Sequence, residues 1–197
     1  TTEDTFHAAS GDVTCEFMHS SENGDVYYGD GFSAIGLPME GSGTMWLLRP
    51  DDGKTPEDLL QSDEALSFLV ANGGWSQTQY AKIALSLPKF DVASDLDLKD
   101  ALKTLGITDV LDAETADFTP LGLDESLVLS KAEHAARVKI DEDGCEAAAY
   151  TVMMKEATAM LEEPETVEFT LDRPFLFVLT GIDGAPLFAG VVNQPNG

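Results

Sequence analysis

The fold of this chain is decided by residues 140–154, IDEDGCEAAAYTVMM. Three consecutive alanines would suit a helix, but a glycine precedes them and residues with β preference follow them. In a strand, the side chains alternate between two faces, and one face then carries only small or uncharged residues; these are Cys145, Ala147, Ala149, Thr151 and Met153. Glu146 falls on the opposite face, where it can stay in water. The segment can therefore become a central strand if a gap opens for it.

The remainder of the chain predicts antiparallel strands with a few short helices. Strands are predicted at Val13–Met18, Val26–Tyr28, Phe32–Leu37, Met45–Leu48, Tyr80–Leu87, Phe90–Val92, Leu127–Ile140, Val167–Leu171, Phe175–Thr180 and Leu187–Val192, with a turn at Ser20–Gly24. Thr55 followed by Pro56 predicts a helix start, and Asp97–Leu105 predicts a second, short helix that ends at Gly106. No linker divides the chain, so we expect one domain over residues 1–197.

Charge narrows the range of partners. The chain has a formal net charge of −25 at pH 7. An anionic membrane or a nucleic acid would repel it, so we expect neither as a partner. Its 43% of hydrophobic residues is typical of a globular domain, and no apolar run approaches the ~20 residues that span a bilayer.

The chain lacks the patterns that point to catalysis or to a bound metal. It has only three histidines, it has no GxSxG nucleophile motif, and it has no phosphate-binding glycine loop. Cys15 and Cys145 stand far apart, without the short spacings of a zinc site. We therefore expect no enzyme activity, no metal and no cofactor.

Gly144-Cys145-Glu146-Ala147-Ala148-Ala149 resembles the hinge of the serpins, a family of protease inhibitors whose hinge usually reads Gly-Thr-Glu-Ala-Ala-Ala. Further matches follow in the family's order: MWLLRPDDG at 45–53, with Arg49 where leucine is usual; LPKF at 87–90; LSKAEHAA at 129–136; and DRPFLF at 172–177. The resemblance implies an α+β serpin fold, of which this chain is the C-terminal half. It also implies mainly antiparallel sheets, a few short helices and a reactive-centre loop.

The resemblance implies a suicide-substrate inhibitor of serine proteases. The protease cleaves the loop and forms an acyl-enzyme, and the loop then inserts into the large sheet. Candidate residues at the cleaved bond are Thr158, Ala159, Met160 and Leu161. Their mostly small neighbours favour an elastase-like or subtilisin-like target. His134 resembles a residue of the family's central polar cluster. By analogy with the family, we expect an extracellular protein.

The resemblance leaves two further questions, namely what completes the fold and whether the chain is an inhibitor. Family members are roughly twice this size, so an N-terminal fragment or a second copy is expected to complete the fold. A non-inhibitory carrier or chaperone on the same scaffold is one alternative, and a truncated interaction module is another. The small, uncharged hinge face favours the inhibitor, because non-inhibitory members often carry bulky or charged hinge residues.

Overall fold

The computed structural model describes residues 1–39, 43–122, 127–142, 144–145 (backbone only) and 164–196. The chain forms two compact units. One contains residues 1–92 and 138–197, and the other contains residues 93–137.

The secondary structure is dominated by β-strands. In chain order the strands are β1 (Thr2–Ala8), β2 (Gly11–Gly29), β3 (Phe32–Met39), β4 (Gly43–Pro50), β5 (Thr78–Pro88), β6 (Phe90–Asp97), β7 (Glu133–Asp141), β8 (Gly144–Cys145), β9 (Thr166–Thr170), β10 (Phe175–Thr180) and β11 (Pro186–Val192). The helices are α1 (Pro56–Leu60), α2 (Asp63–Ala71) and α3 (Lys99–Thr104), and short 3-10 turns lie at Asp109–Leu111 and Thr119–Leu121. This composition confirms the predicted α+β class.

Two sheets contain these strands. The larger has the order β11-β10-β4-β3-β2-β5-β9, and β1 also pairs with the first half of β2. The smaller has the order β6-β7-β8. All described pairs in the larger sheet are antiparallel except β5 with β9, which run parallel. Strands β2, β3 and β4 pair in chain order as a meander, and β10 and β11 pair as a hairpin.

Strand β2 corrects one prediction. The predicted turn at Ser20–Gly24 is wrong, because the strand runs unbroken through these residues. Its second half pairs with β5 over eleven positions, from Phe17↔Pro88 to Tyr27↔Thr78. The polar residues of this stretch favour a turn when they are considered alone. The backbone hydrogen bonds that they form with β5 outweigh that local preference.

The larger sheet buries side chains on both of its faces. One face contributes Phe6, Phe17, Phe169, Phe175 and Phe177 to the main core. The other face lies under the helices and contributes Phe32, Trp46, Leu48, Leu176 and Val178. Strand β10 is therefore buried at every residue, with neighbours alternating between the two cores. Two buried faces explain why its sequence reads as a continuous apolar run.

Helix α1 begins where the sequence predicts a helix start, and α2 follows it with a cap of its own. Thr55 caps α1 through a reciprocal pair of hydrogen bonds with Asp58, and Pro56 takes the first helical position. Ser62 caps α2 by accepting a hydrogen bond from the Ala65 N–H at 3.3 Å. Phe68 of α2 is 1% exposed and lies 5.4–5.6 Å from the ring centroids of four aromatic residues, Tyr27, Phe32, Trp46 and Trp75. This cluster fixes α2 on the sheet.

In the second unit, the strand predicted at Leu127–Ile140 begins only at Glu133. The residues before it use their backbone groups elsewhere. The Leu129 N–H donates to the Val110 carbonyl at 2.8 Å, and the Ala132 carbonyl accepts from the Leu98 N–H at 2.7 Å. The Leu129 N–H is thus used by the 3-10 turn at Asp109–Leu111 rather than by a neighbouring strand.

Candidate functional site

The hinge begins at a tight hairpin between β7 and β8. Ile140 pairs with Cys145, and Asp141 pairs with Gly144, in antiparallel register. The first two residues of the predicted hinge therefore already extend a sheet along β7. Glu146, Ala147, Ala148 and Ala149 lie outside the described residues.

Lys89 holds the base of this hairpin. Its Nζ lies 2.6 Å from Glu142 Oε2 and 3.2 Å from Glu16 Oε2. Its backbone N–H donates to the Glu16 carbonyl at 2.9 Å. The hydrogen bond from Lys89 lowers the pKa of Glu142, and the bond to Glu142 raises the pKa of Lys89. One cation thus ties the turn after β7 to β2.

The inner face of β7 is apolar. Val138 is 8% exposed and Ile140 is 4% exposed, and both belong to the main core. Lys139, between them, points outward and lies 2.8 Å from an Asp141 carboxylate oxygen. Alternation along β7 therefore separates a buried face from a charged one.

A cavity of about 510 Å³ adjoins the hinge base. Its lining includes Cys15, Lys89, Phe90, Ile140 and Glu142. Burial raises the pKa of the Cys15 thiol, which keeps it protonated and a poor nucleophile. This agrees with a small, buried structural thiol.

The chain returns to the larger sheet after residue 163. β9 runs parallel to β5, with Lys82 opposite Thr166 and Leu85 opposite Phe169. Just before β9, the Glu165 carbonyl accepts from the Lys82 N–H at 2.9 Å, and the Glu165 carboxylate accepts from Gln79 Nε2 at 3.2 Å. The residues that flank segment 146–163 therefore pair with β7 of the smaller sheet and with β5 of the larger one.

Of the other predicted site residues, His134 is among those that the structure describes. Thr158, Ala159, Met160 and Leu161 lie outside the described residues. His134 is exposed on β7 and forms no hydrogen bond or ion pair with any residue whose position is described. Sequence reasoning missed the Lys89 bridge. The signal was present in LPKF at 87–90, but a sequence pattern does not show which carboxylates a lysine reaches.

Within the described parts of the chain, no group of three or more His, Cys, Asp or Glu residues could hold a metal ion. No described helix has the length and apolar character needed to span a membrane.

Known proteins resemble this chain along its length. Residues 1–195 match the family described as "Serpin (serine protease inhibitor)". The chain is 32% identical to glia-derived nexin of Mus musculus over 83% of its own length and 40% of the relative's. It is 31% identical to Serpin-ZX of Arabidopsis thaliana over 99% of its own length and 52% of the relative's. The chain therefore spans about half or less of the length of these relatives.

A solved structure shares the fold. The native, stressed conformation of Arabidopsis AtSerpin1 matches with a TM-score of 0.73 at 29% identity, over 98% of this chain and 52% of that one. The hinge sequence, the arrangement of the strands and the match over residues 1–195 all indicate the same family. This chain belongs to the serpin family.

Proposed function

We propose that this chain carries the bait loop of a suicide-substrate inhibitor of serine proteases. The observation that carries the proposal is the register of β7 with β8, Ile140↔Cys145 and Asp141↔Gly144. Continued along β7, this register sets Ala147 opposite Val138 and Ala149 opposite Ala136. Membership of the serpin family supports the general role of a protease inhibitor.

Burial along β7 supports entry of the loop as a strand. Residues directly opposite each other in an antiparallel pair share a face, and both Ile140 and Val138 face the core. Cys145 and Ala147 would therefore face the core as well. Their small, uncharged side chains avoid the cost of burying a charge, whereas Glu146 would share the outward face with Lys139. In the same register Thr151 lies opposite His134, which suits the polar cluster that the family resemblance implies for that histidine.

The chemistry is an interrupted proteolysis. The protease serine attacks the carbonyl of the cleaved peptide bond, the new amine leaves, and an acyl ester remains. Insertion of the freed segment then forms new backbone hydrogen bonds along β7, carries the acylated protease away and distorts its active site before water can release it. The chain itself acts as no enzyme and needs no cofactor.

The test is incubation with pancreatic elastase and with subtilisin. We expect a complex of chain and protease that survives boiling in detergent, and a new N-terminus within Thr158–Leu161. Cleavage without a complex would favour the non-inhibitory carrier or chaperone. The absence of both cleavage and complex would favour the truncated interaction module.

An N-terminal fragment or a second copy would complete the fold. β11 ends the larger sheet among the described strands, and Leu187 and Phe188 on it are 60% and 45% exposed. An open edge with apolar side chains favours pairing with another strand. Light scattering should give a mass above that of one chain; a stable, soluble monomer would contradict this.

We also place the inhibitor outside the cell, where its family's protease targets mostly act. Its acidic surface would speed capture of a cationic protease, over about 8 Å at physiological salt. Detection of the protein in culture medium rather than in cells would test this placement.

A further inference from the structure

A polar face of the larger sheet lies beside the end of the bait loop. Strand β5 turns its odd-numbered residues from 81 to 87 into the core, so its even-numbered residues face outward. Tyr80 and Lys82 are exposed on this outer side, and the Tyr80 side chain is 63% exposed. Strand β9 flanks β5 and begins three residues after segment 146–163. The outer side of β5 therefore adjoins the point where the bait loop rejoins the sheet.

Carboxylates share this outer side with Tyr80. Asp25 of β2 lies directly opposite Tyr80 in the antiparallel register, and Glu168 of β9 lies opposite Ala84 in the parallel register. Since residues directly opposite each other share a face, both acids project outward. Both are exposed, and neither forms a hydrogen bond or an ion pair with another residue of the described ranges. Glu165, at the edge of the sheet, adds a third exposed carboxylate.

These groups define the chemistry of a partner. We name the set the docking face; it consists of Asp25, Tyr80, Lys82, Glu165 and Glu168. Three carboxylates surround one ammonium group there, and the net charge of −25 adds to the negative potential. A complementary surface is therefore basic. The Tyr80 ring suits arginine in particular, because a guanidinium stacks on an aromatic face, and tyrosine is enriched among the residues that dominate binding energies.

The length of the chain decides which partner reaches this face. The candidate residues at the cleaved bond, Thr158–Leu161, precede Glu165 by four to seven residues. Even a fully extended chain of that length spans at most about 14 to 25 Å. A protease of about 220 residues has a radius of gyration of about 17 Å, so it is wider than this reach. A protease bound at the cleaved bond therefore lies close enough to contact the docking face.

We propose that the docking face binds a basic, arginine-bearing surface of the target protease next to its active site. This inference rests on the proposed function, since it assumes that a protease engages the bait loop. The docking face would raise the affinity and the association rate of the encounter before cleavage, whereas the hinge acts after cleavage. It would thereby select cationic proteases among those that can cleave the same bond.

The test is binding of a cationic pancreatic elastase whose catalytic serine is replaced by alanine, measured by surface plasmon resonance. This elastase engages the chain without cleaving it, so binding is measured apart from trapping. Tyr80→Ala should raise the Kd by about tenfold, equivalent to about 1.4 kcal/mol. Asp25→Asn combined with Glu168→Gln should lower the association rate severalfold at low salt. The same variant should match the unmodified chain in about 1 M salt, where charges are screened within about 3 Å.

Matched controls remove similar groups from exposed positions elsewhere. Leu105→Ala removes an apolar side chain that is 76% exposed. Asp95→Asn combined with Glu114→Gln removes two exposed carboxylates. Both controls should bind the inactive elastase as the unmodified chain does. An equal loss of binding in the Asp95 and Glu114 control would show that net charge alone attracts elastase, and would overturn the docking face.

Failure of this inference can be told apart from failure of the proposed function. If Tyr80→Ala and the Asp25 and Glu168 variant both bound the inactive elastase as the unmodified chain does, the docking face would be overturned, even if active elastase were still trapped. If active elastase formed no detergent-stable complex, but binding of the inactive elastase still depended on Tyr80, the trapping mechanism would be overturned and the docking face would be supported.

Discussion

β10 and the β7–β8 hairpin show two ways of holding a strand. β10 is buried at all six residues and has neighbours on both edges. At the hairpin, β8 contributes two paired residues, and the turn is held mainly by an exposed bridge from Lys89 to Glu142. Burial holds β10 in place, because moving its apolar side chains back into water would cost free energy. In the proposed mechanism, these small residues and polar contacts would allow the hairpin to extend.

The largest expected effect is loss of protease inhibition. It should result from a charge on the hinge face that insertion would bury. Cys145→Arg should abolish the detergent-stable complex with elastase, because an unpaired cation would have to enter the core beside Ile140. Loop cleavage should continue. Glu146→Arg is the control: it places the same side chain on the outward face and should leave complex formation nearly unchanged. A complex formed by Cys145→Arg at the original yield would contradict strand insertion.

Loss of a packed aromatic should produce the largest change in stability. Phe68→Ala should lower the free energy of unfolding by about 3–5 kcal/mol, because it leaves a cavity among four aromatic rings. Val70 on the same helix is 85% exposed, and Val70→Ala should change stability by less than about 0.5 kcal/mol. Urea unfolding would measure both. Equal effects would show that α2 is not fixed through Phe68.

A smaller effect is expected at the start of α2. Ser62→Ala should cost about 1 kcal/mol, because it removes the side-chain oxygen that accepts from the Ala65 N–H. Ser67, exposed in the middle of the same helix, is the control; Ser67→Ala should be neutral or slightly stabilising. If urea unfolding gave the same change for both variants, Ser62 would not act as a cap.

The Lys89 bridge should give the smallest effect, and one that depends on pH. The pKa of Glu142 is lowered from its ordinary 4.5, so its stabilising contribution is present above that value and is lost as the pH falls through the folded-state pKa. The pKa of Lys89 is raised above 10.5, so its contribution is lost only at still higher pH. Lys89→Met should therefore lower the urea midpoint at pH 7 but not at pH 3.

Lys82→Met, which removes an exposed lysine from β5, is the control for this prediction and should show little difference at either pH. A difference between Lys89→Met and the unmodified chain that persisted at pH 3 would show that packing of the lysine stem, rather than its charge, holds the hairpin.

Much of the fold could be predicted from the sequence, because the spacing of apolar residues indicates which side chains are buried. In β5, Ala81, Ile83, Leu85 and Leu87 occupy alternate positions, and all four are buried, as is Pro88 at the end of the strand. The start of α1 at Pro56 followed from its capping residues. These features depend on residues that are close together in the sequence, so they can be predicted from the sequence alone.

Features that depend on distant partners could not be predicted. The continuous course of β2 through Ser20–Gly24 requires β5 beside it. The parallel pairing of β9 with β5 and the reach of Lys89 to Glu16 join residues far apart in the chain. At the hinge, Cys145 pairs with Ile140, but the face of its side chain stays a prediction. The faces of Glu146 to Ala149 and the cleaved bond within Thr158–Leu161 stay predictions.

The central claim, that the loop inserts along β7 in the register of Ile140 with Cys145, can be measured with an engineered cross-link. In a chain carrying Cys15→Ser and Cys145→Ser, Val138→Cys and Ala147→Cys would place thiols at directly opposite positions, within the 4.4–6.8 Å Cα separation that is usual for a disulfide. Pairing Val138→Cys with Ala148→Cys is the control, since residue 148 would face the other side. After elastase cleavage and mild oxidation, we predict a disulfide for the 138/147 pair and none for the 138/148 pair. No disulfide at 138/147 in the cleaved chain, or equal yields for the two pairs, would contradict insertion in this register.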